Sequence, residues 1–149
     1  MLHVKRWCRI SAIDRINMFP KIQTSIDIRV VFQIRTRQYL HTKDDRPGRD
    51  ENFQGYGRFL TDSKGRYYFR TVKPVTYPGR APHIHVAVTL NNKRMLTSQC
   101  YVKGDKRNDK DFIYKRLSKV GQKLTTVDFA PIKESKANEL NAVWDIIIG

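Results

Sequence analysis

Apolar and polar positions alternate with period two through residues 22–35. Ile22, Thr24, Ile26, Ile28, Val30, Phe32 and Ile34 share one parity; Gln23, Ser25, Asp27, Arg29, Val31, Gln33 and Arg35 share the other. Side chains of a strand project to opposite faces in turn, so this pattern predicts a long half-buried strand ending near Arg37. Residues 43–54 are polar, with Pro47 and Gly48, and read as an exposed loop. Residues 55–61 lead into a second strand. Asp62-Ser63-Lys64-Gly65 is turn chemistry, and residues 66–72 read as the returning strand of a hairpin, stopped by Pro74. The β-branched, apolar character of residues 83–90 predicts another strand. Asn91-Asn92 supplies a hairpin turn, and a strand returns over residues 95–102. Residues 109–120 predict a short surface helix, with Asn108 as N-cap and Gly121 just past its end. Two further strands are expected over residues 125–130 and 143–148.

Short strands, scattered Gly and Pro, and well-spread Tyr and Phe define an all-β chain. The expected architecture is a β-sandwich of mostly antiparallel strands with long loops and one short surface helix. At 149 residues it is long enough for one real core. Residues 1–21 are Arg-rich and nearly acid-free. They are set apart as a basic N-terminal arm, a transit segment, or a start that is not the domain's natural one. Residues 22–149 form the sandwich domain. Residues 1–21 lack the apolar stretch of a secretory signal, and no apolar run is long enough to span a membrane.

Charge changes this picture less than its size implies. The formal net charge is +15 and the pI about 10.1. Lys and Arg are spread over the chain, and no nucleic-acid-binding signature accompanies them. Steering of small anionic substrates, or a merely solvated basic surface, is favoured over nucleic acid as partner. Cys8 and Cys100 stand far apart without zinc-ligand spacing, as free thiols of a reduced, cytoplasmic protein would.

The candidate chemistry is concentrated in residues 77–85, Tyr-Pro-Gly-Arg-Ala-Pro-His-Ile-His. His83 and His85 are two apart, so in a strand both imidazoles share a face. Such a pair is often only hydrogen-bonded on a sheet. Here Tyr77 stands across a Pro-Gly bend as a third donor, and Tyr39 and Gln99 are further candidates. Two phenolates and two imidazoles, taken as ligands, suit a hard trivalent iron better than zinc or copper. A cation beside a phenol favours its ionised form. The plain alternatives are a strand-end aromatic for Tyr39, a core tyrosine for Tyr77, a surface charge for Arg80 and an outward strand residue for Gln99.

Residues 52–62, then 65–74, then Tyr77 with Arg80-Ala81-Pro82-His83-Ile84-His85, resemble the intradiol ring-cleavage dioxygenases of the protocatechuate 3,4-dioxygenase type. The likeness continues through Gln99-Cys100-Tyr101 and Gly104-Asp105 to Val127-Asp128-Phe129 and covers residues 38–148 or so. It implies a β-sandwich holding a non-haem Fe(III) through two tyrosinates and two histidines. Tyr77, His83 and His85 fall on ligand positions. Tyr39, in Tyr39-Leu40-His41 after Phe32-Gln33, matches the remaining one. Arg80 and Gln99 match the arginine and glutamine beside the reacting carbon. The activity implied is cleavage of a catechol between its two hydroxylated carbons by O2, giving a cis,cis-muconate-type dicarboxylate. Protocatechuate or a related catechol is the expected substrate, and homo- or hetero-oligomers are expected. Departures cluster early: residues 1–34 contain no glycine, Phe32 replaces the family's tryptophan, and the bend between Tyr77 and His83 is short.

Two other classes compete. A sandwich of the same scaffold that has lost turnover would bind aromatics with little or no iron. A basic β domain that binds nucleic acid would do so with strong salt dependence.

Overall fold

The run His83–Leu90 is a strand over the predicted span, and it lies at the centre of the larger of two sheets. The computed structural model describes residues 7–12, 26–31, 35–36, 38–39, 56–62 and 65–148; up to Tyr56 it describes backbone pairing only. In chain order the strands are β1 (Trp7–Ala12), β2 (Ile26–Val31), β3 (Arg35–Thr36), β4 (Gln38–Tyr39), β5 (Tyr56–Leu60), β6 (Tyr67–Val72), β7 (His83–Leu90) and β8 (Lys93–Val102). Two 3₁₀ turns (Asn108–Lys110 and Tyr114–Arg116) and one helix, α1 (Lys119–Thr125), follow. Strands β9 (Thr126–Val127), β10 (Ala130–Pro131) and β11 (Leu140–Val143) close the order.

The larger sheet runs β5-β2-β7-β8-β9 and the smaller β10-β11-β1-β6, with β3 and β4 a separate ribbon. Pairing is antiparallel except between β1 and β11 and between β8 and β9. Ile84, Val86 and Val88 of β7, with Cys100 and Val102 of β8, are buried against Tyr67, Leu140 and Ala142 of the smaller sheet. Trp144, Ile146 and Ile148 complete this core. The Tyr67 hydroxyl donates to the Trp144 carbonyl at 2.6 Å, and the Trp144 indole donates to the Leu124 carbonyl at 2.7 Å. The chain is therefore an all-β sandwich, with one short helix among the described residues.

The turn after β7 forms as its residues require. Asn91 and Asn92 have φ of 49° and 62°, the pair of positive values of a type I′ turn. A bulge follows: Val88 pairs with Leu96 but Thr89 with Arg94, so Met95 is the extra residue.

Four expectations change; one is the strand over residues 125–130, which is divided between β9 in the larger sheet and β10 in the smaller. The alternating segment forms β2 over Ile26–Val31; residues 22–25 and 32–34 lie outside the described residues, as does the expected loop of residues 43–54. Residues 55–72 are not a hairpin. The Asp62–Arg66 turn closes, with the Gly65 amide donating to the Asp62 carbonyl at 2.9 Å. It nevertheless hands the chain from one sheet to the other: β5 pairs with β2 and β6 with β1. The crossing lets Phe59 and Tyr67 reach the core from opposite sheets. The helix over residues 109–120 is replaced by the two 3₁₀ turns, because Asp111 turns inward and accepts from the Ile113 and Tyr114 amides. α1 starts later, where Ser118 Oγ accepts from the Gly121 amide, so Gly121 sits inside it. The last strand is β11, four residues long; the buried Trp144, Ile146 and Ile148 lie beyond it. Within the basic segment 1–21, Trp7–Ala12 is paired on both sides. Among the described residues no helix is long and apolar enough to cross a membrane.

Candidate active site

The site is built on the face of β7 and β8 that points away from the core. His83 pairs across the strands with Tyr101, and His85 with Gln99. Directly opposed residues project from the same face, so period two gathers all four. The alternate residues Ile84 and Cys100 enter the core.

Upstream of β7 a tight turn adds two more groups. Tyr77-Pro78-Gly79-Arg80 closes with the Arg80 amide donating to the Tyr77 carbonyl at 2.9 Å. Pro78 stands at the second position and Gly79, with φ 76°, at the third, the arrangement of a type II turn. Thr76 Oγ1 donates to the Arg80 carbonyl at 2.6 Å and holds the turn from its other side.

The donors then converge. His83 Nδ1 lies 2.6 Å from the Ala81 carbonyl and carries the proton, leaving the Nε2 lone pair aimed into the site. Burial pushes the His83 pKa down to about 4, so the ring is neutral at pH 7. Its Nε2 lies 3.0 Å from His85 Nε2 and 3.5 Å from Tyr77 Oη. Metal–nitrogen bonds of about 2.1 Å at right angles would place two nitrogens about 3.0 Å apart, so this spacing fits ligands of one small cation. Among the described residues no three His, Cys, Asp or Glu converge. The third donor here is the phenol oxygen, which selects a hard cation.

Arg80 lies beside the donors, almost fully buried. Its Nη1 donates to Tyr77 Oη at 2.9 Å and its Nη2 to Gln99 Oε1 at 2.5 Å, with Tyr101 Oη at 3.4 Å. Its Nε donates to Asp111 Oδ2 at 2.9 Å, and the guanidinium carbon lies 5.2 Å from the centre of the Phe112 ring. Burial works against the Arg80 charge, but hydrogen bonding to Asp111 and the nearby Tyr77 oxygen outweigh it and raise its pKa. Burial raises the Tyr77 phenol, and the Arg80 charge partly offsets this. Burial, then the Asp111 charge, push Tyr101 up to about 12, so it remains a donor.

Of the expected site residues, Tyr77, Arg80, His83, His85 and Gln99 are brought together. Tyr39 ends β4, its backbone paired with Arg35; its side chain lies outside the described residues. Two members of the cluster were not expected. Tyr101 follows Gln99 by two, a spacing that could have placed it on the same face. Asp111 is one of three acids, with Asp105 and Asp109, in a basic segment, and nothing in its spacing marks it.

The dioxygenase family model matches residues 31–148. The beta chain of protocatechuate 3,4-dioxygenase from Burkholderia cepacia is 31% identical over 121 residues, 74% of this chain and 51% of that one. The chain thus spans about half the length of this curated relative. Catechol 1,2-dioxygenase from Acinetobacter sp. ADP1 superposes with a TM-score of 0.73 at 19% identity, over 97% of this chain and 52% of that chain. An intradiol ring-cleavage dioxygenase from Tetranychus urticae superposes with a TM-score of 0.69 at 17% identity, over 99% and 82%. The chain belongs to the intradiol ring-cleavage dioxygenase family.

Proposed function

We propose that this site cleaves a catechol-type ring between its hydroxylated carbons with O2, using a non-haem Fe(III). The observation that carries the reading is the convergence of His83 Nε2, His85 Nε2 and Tyr77 Oη within 3.0–3.5 Å, with Arg80 and Gln99 alongside. Tyr77, His83, His85 and Tyr39 would hold the metal. Bound there, Fe(III) supplies a Lewis acid that chelates the two catechol oxygens and prepares the ring for O2.

The protein's own part follows from the contacts. The Ala81 carbonyl fixes the His83 tautomer that presents Nε2 as a donor. Arg80 Nη1 stabilises negative charge on Tyr77 Oη, and the same oxygen can take up a proton from an entering catechol. The Arg80 charge, held in a buried setting, favours negative charge developing on the ring. With its Oε1 engaged by Arg80 and Tyr101, Gln99 has an orientation fixed from two sides.

Protocatechuate or a related catechol is the proposed substrate, in keeping with the name of the Burkholderia relative and a net charge of +15. That relative is a beta chain, which supports assembly of this chain with copies or with a second kind of subunit.

The test is iron content with a visible spectrum of the purified protein. Phenolate-to-Fe(III) charge transfer gives colour, and the band should shift when catechol or protocatechuate is added under nitrogen. Tyr77→Phe should weaken and shift the band, leaving what Tyr39 contributes. A protein that stays colourless after anaerobic iron loading and exposure to air defeats the reading and favours an inactive binding scaffold.

A further inference from the structure

Asp111 is completely buried, and its carboxylate oxygens accept four hydrogen bonds between them. Oδ2 accepts from Arg80 Nε at 2.9 Å and from the Ala81 amide at 2.8 Å. Oδ1 accepts from the Ile113 amide at 2.9 Å and the Tyr114 amide at 3.0 Å. One carboxylate thus joins three parts of the chain: the guanidinium, the residue leading into the His83 strand, and the 3₁₀ segment over the site. The backbone amides and Arg80 outweigh the cost of burial and keep this carboxyl below the ordinary carboxylate range.

Guanidinium geometry makes that contact consequential. Nε and the two Nη atoms form a rigid planar fork. With Nε fixed on Asp111, the plane has little freedom left. Nη1 then meets Tyr77 Oη, and Nη2 meets Gln99 Oε1. The Phe112 ring packs near the guanidinium and restricts it further.

We infer that Asp111 is a positioning residue: it holds the Arg80 fork so that one tine faces Tyr77 and the other Gln99. This deepens the dioxygenase reading and rests on it for its catalytic consequence. A purely structural Asp111 would serve only the turn at residues 111–114, and its loss would act independently of Arg80.

The experiment compares Asp111→Asn, Arg80→Gln and the double variant in iron-loaded protein, together with NMR of the metal-free protein. An asparagine that keeps the Oδ1 contacts puts an NH2 donor where Oδ2 stood and accepts from neither Arg80 Nε nor the Ala81 amide. Asp111→Asn should lower kcat about 100-fold, the cost of a misplacement near 1 Å, with KM changed less than about threefold. The double variant should be no slower than Arg80→Gln alone. Losses that multiply in the double variant overturn the inference.

Arg80→Lys covers the case in which Asp111→Asn fails to fold. It keeps a cation for Asp111, but one ammonium cannot also reach Tyr77 and Gln99 in the same plane. It should melt within a few degrees of wild type and still lose most of kcat. Activity within threefold of wild type rejects the inference.

The metal-free arm separates the two ideas. The Arg80 Nε–H resonance, assigned by its absence in Arg80→Lys, should be protected from exchange in wild type and in Tyr77→Phe, and exposed in Asp111→Asn if that variant folds. No protection in wild type sinks the positioning. Protection in a protein that stays colourless and inactive supports the positioning and sinks the dioxygenase reading alone.

Discussion

Tyr101 and Gln99, two residues apart on β8, are joined by a 2.5 Å hydrogen bond from the phenol hydroxyl to Oε1. The same oxygen accepts from Arg80 Nη2, so the amide is tied between a neutral and a charged donor. Side chains on one face of a strand seldom bond so closely at this spacing, because neighbours on a face stand nearly parallel. Here both lean towards Arg80. Removing the hydroxyl in Tyr101→Phe leaves the buried ring in place and Gln99 held from one side only. Turnover of catechol should fall about tenfold, and unfolding free energy by about 1 kcal/mol. Steady-state kinetics and urea melts measure the two effects; unchanged turnover would show that Arg80 alone orients Gln99.

Gly79 offers a second handle. Nothing lies within 4 Å of where its Cβ would be, yet its φ is 76°. Cost at this position is therefore conformational and not steric with neighbours. Gly79→Ala should destabilise by about 1–2 kcal/mol, and Gly79→Asn by less, because asparagine tolerates the left-handed region better. Thermal melts of the two variants give the order. An alanine variant as stable as wild type would mean that the turn re-forms with another geometry.

Acid should act through Asp111. Its folded pKa lies below the unfolded value of 3.8. The unfolded state therefore binds a proton first as pH falls. The stabilisation is present above that unfolded value and is lost as pH drops through the lower, folded one. Chemical denaturation of metal-free protein at stepped pH should show stability declining below about pH 4, a carboxylate's range. Asp111→Asn, less stable at neutral pH, should show a shallower decline over that window. Parallel curves would count against the depressed pKa.

Ile146 tests the separation of core from site. It is buried in the core, beyond the last strand. Ile146→Ala should cost about 2–5 kcal/mol. The site occupies the opposite face of β7, so KM for a catechol should stay near wild type at temperatures where the variant is folded. A KM that moves several-fold would show that core packing is felt through the sheet.

Much of this site could be read along the chain because its parts are local. Tyr77, Arg80, His83 and His85 lie within one turn and one strand, and strand periodicity places the two histidines together. Gln99 and Tyr101 enter because the Met95 bulge shifts by one residue the register that the Asn91-Asn92 turn sets, and nothing in the sequence announces that extra residue. Non-local choices were hidden. The Asp62–Gly65 turn declares a reversal, but whether its flanking strands pair depends on partners far away in sequence. Asp111 stands among Lys106, Arg107, Lys110 and Lys115 with two other acids, Asp105 and Asp109, and nothing in the sequence separates it from them. Its partner, Arg80, is 31 residues away, and a helical pattern over residues 109–120 hid the inward turn. Trp7–Ala12 lacks a clean alternation, and its pairing with β6 and β11 is with segments distant in sequence.

The parallel pairing of β1 with β11 also sets an order of events during synthesis. All described strands of the sheet that bears the histidines have been made once Val127 has left the ribosome. In the smaller sheet β1 can pair with β6 once Val72 is made, but its parallel neighbour β11 waits for Leu140–Val143. Until then Ile84, Val86 and Val88 lack the cover of Leu140, Ala142, Trp144 and Ile146. A nascent chain halted short of Leu140 thus carries the strand of His83 and His85 with its apolar side only partly covered and open to chaperones or to other chains.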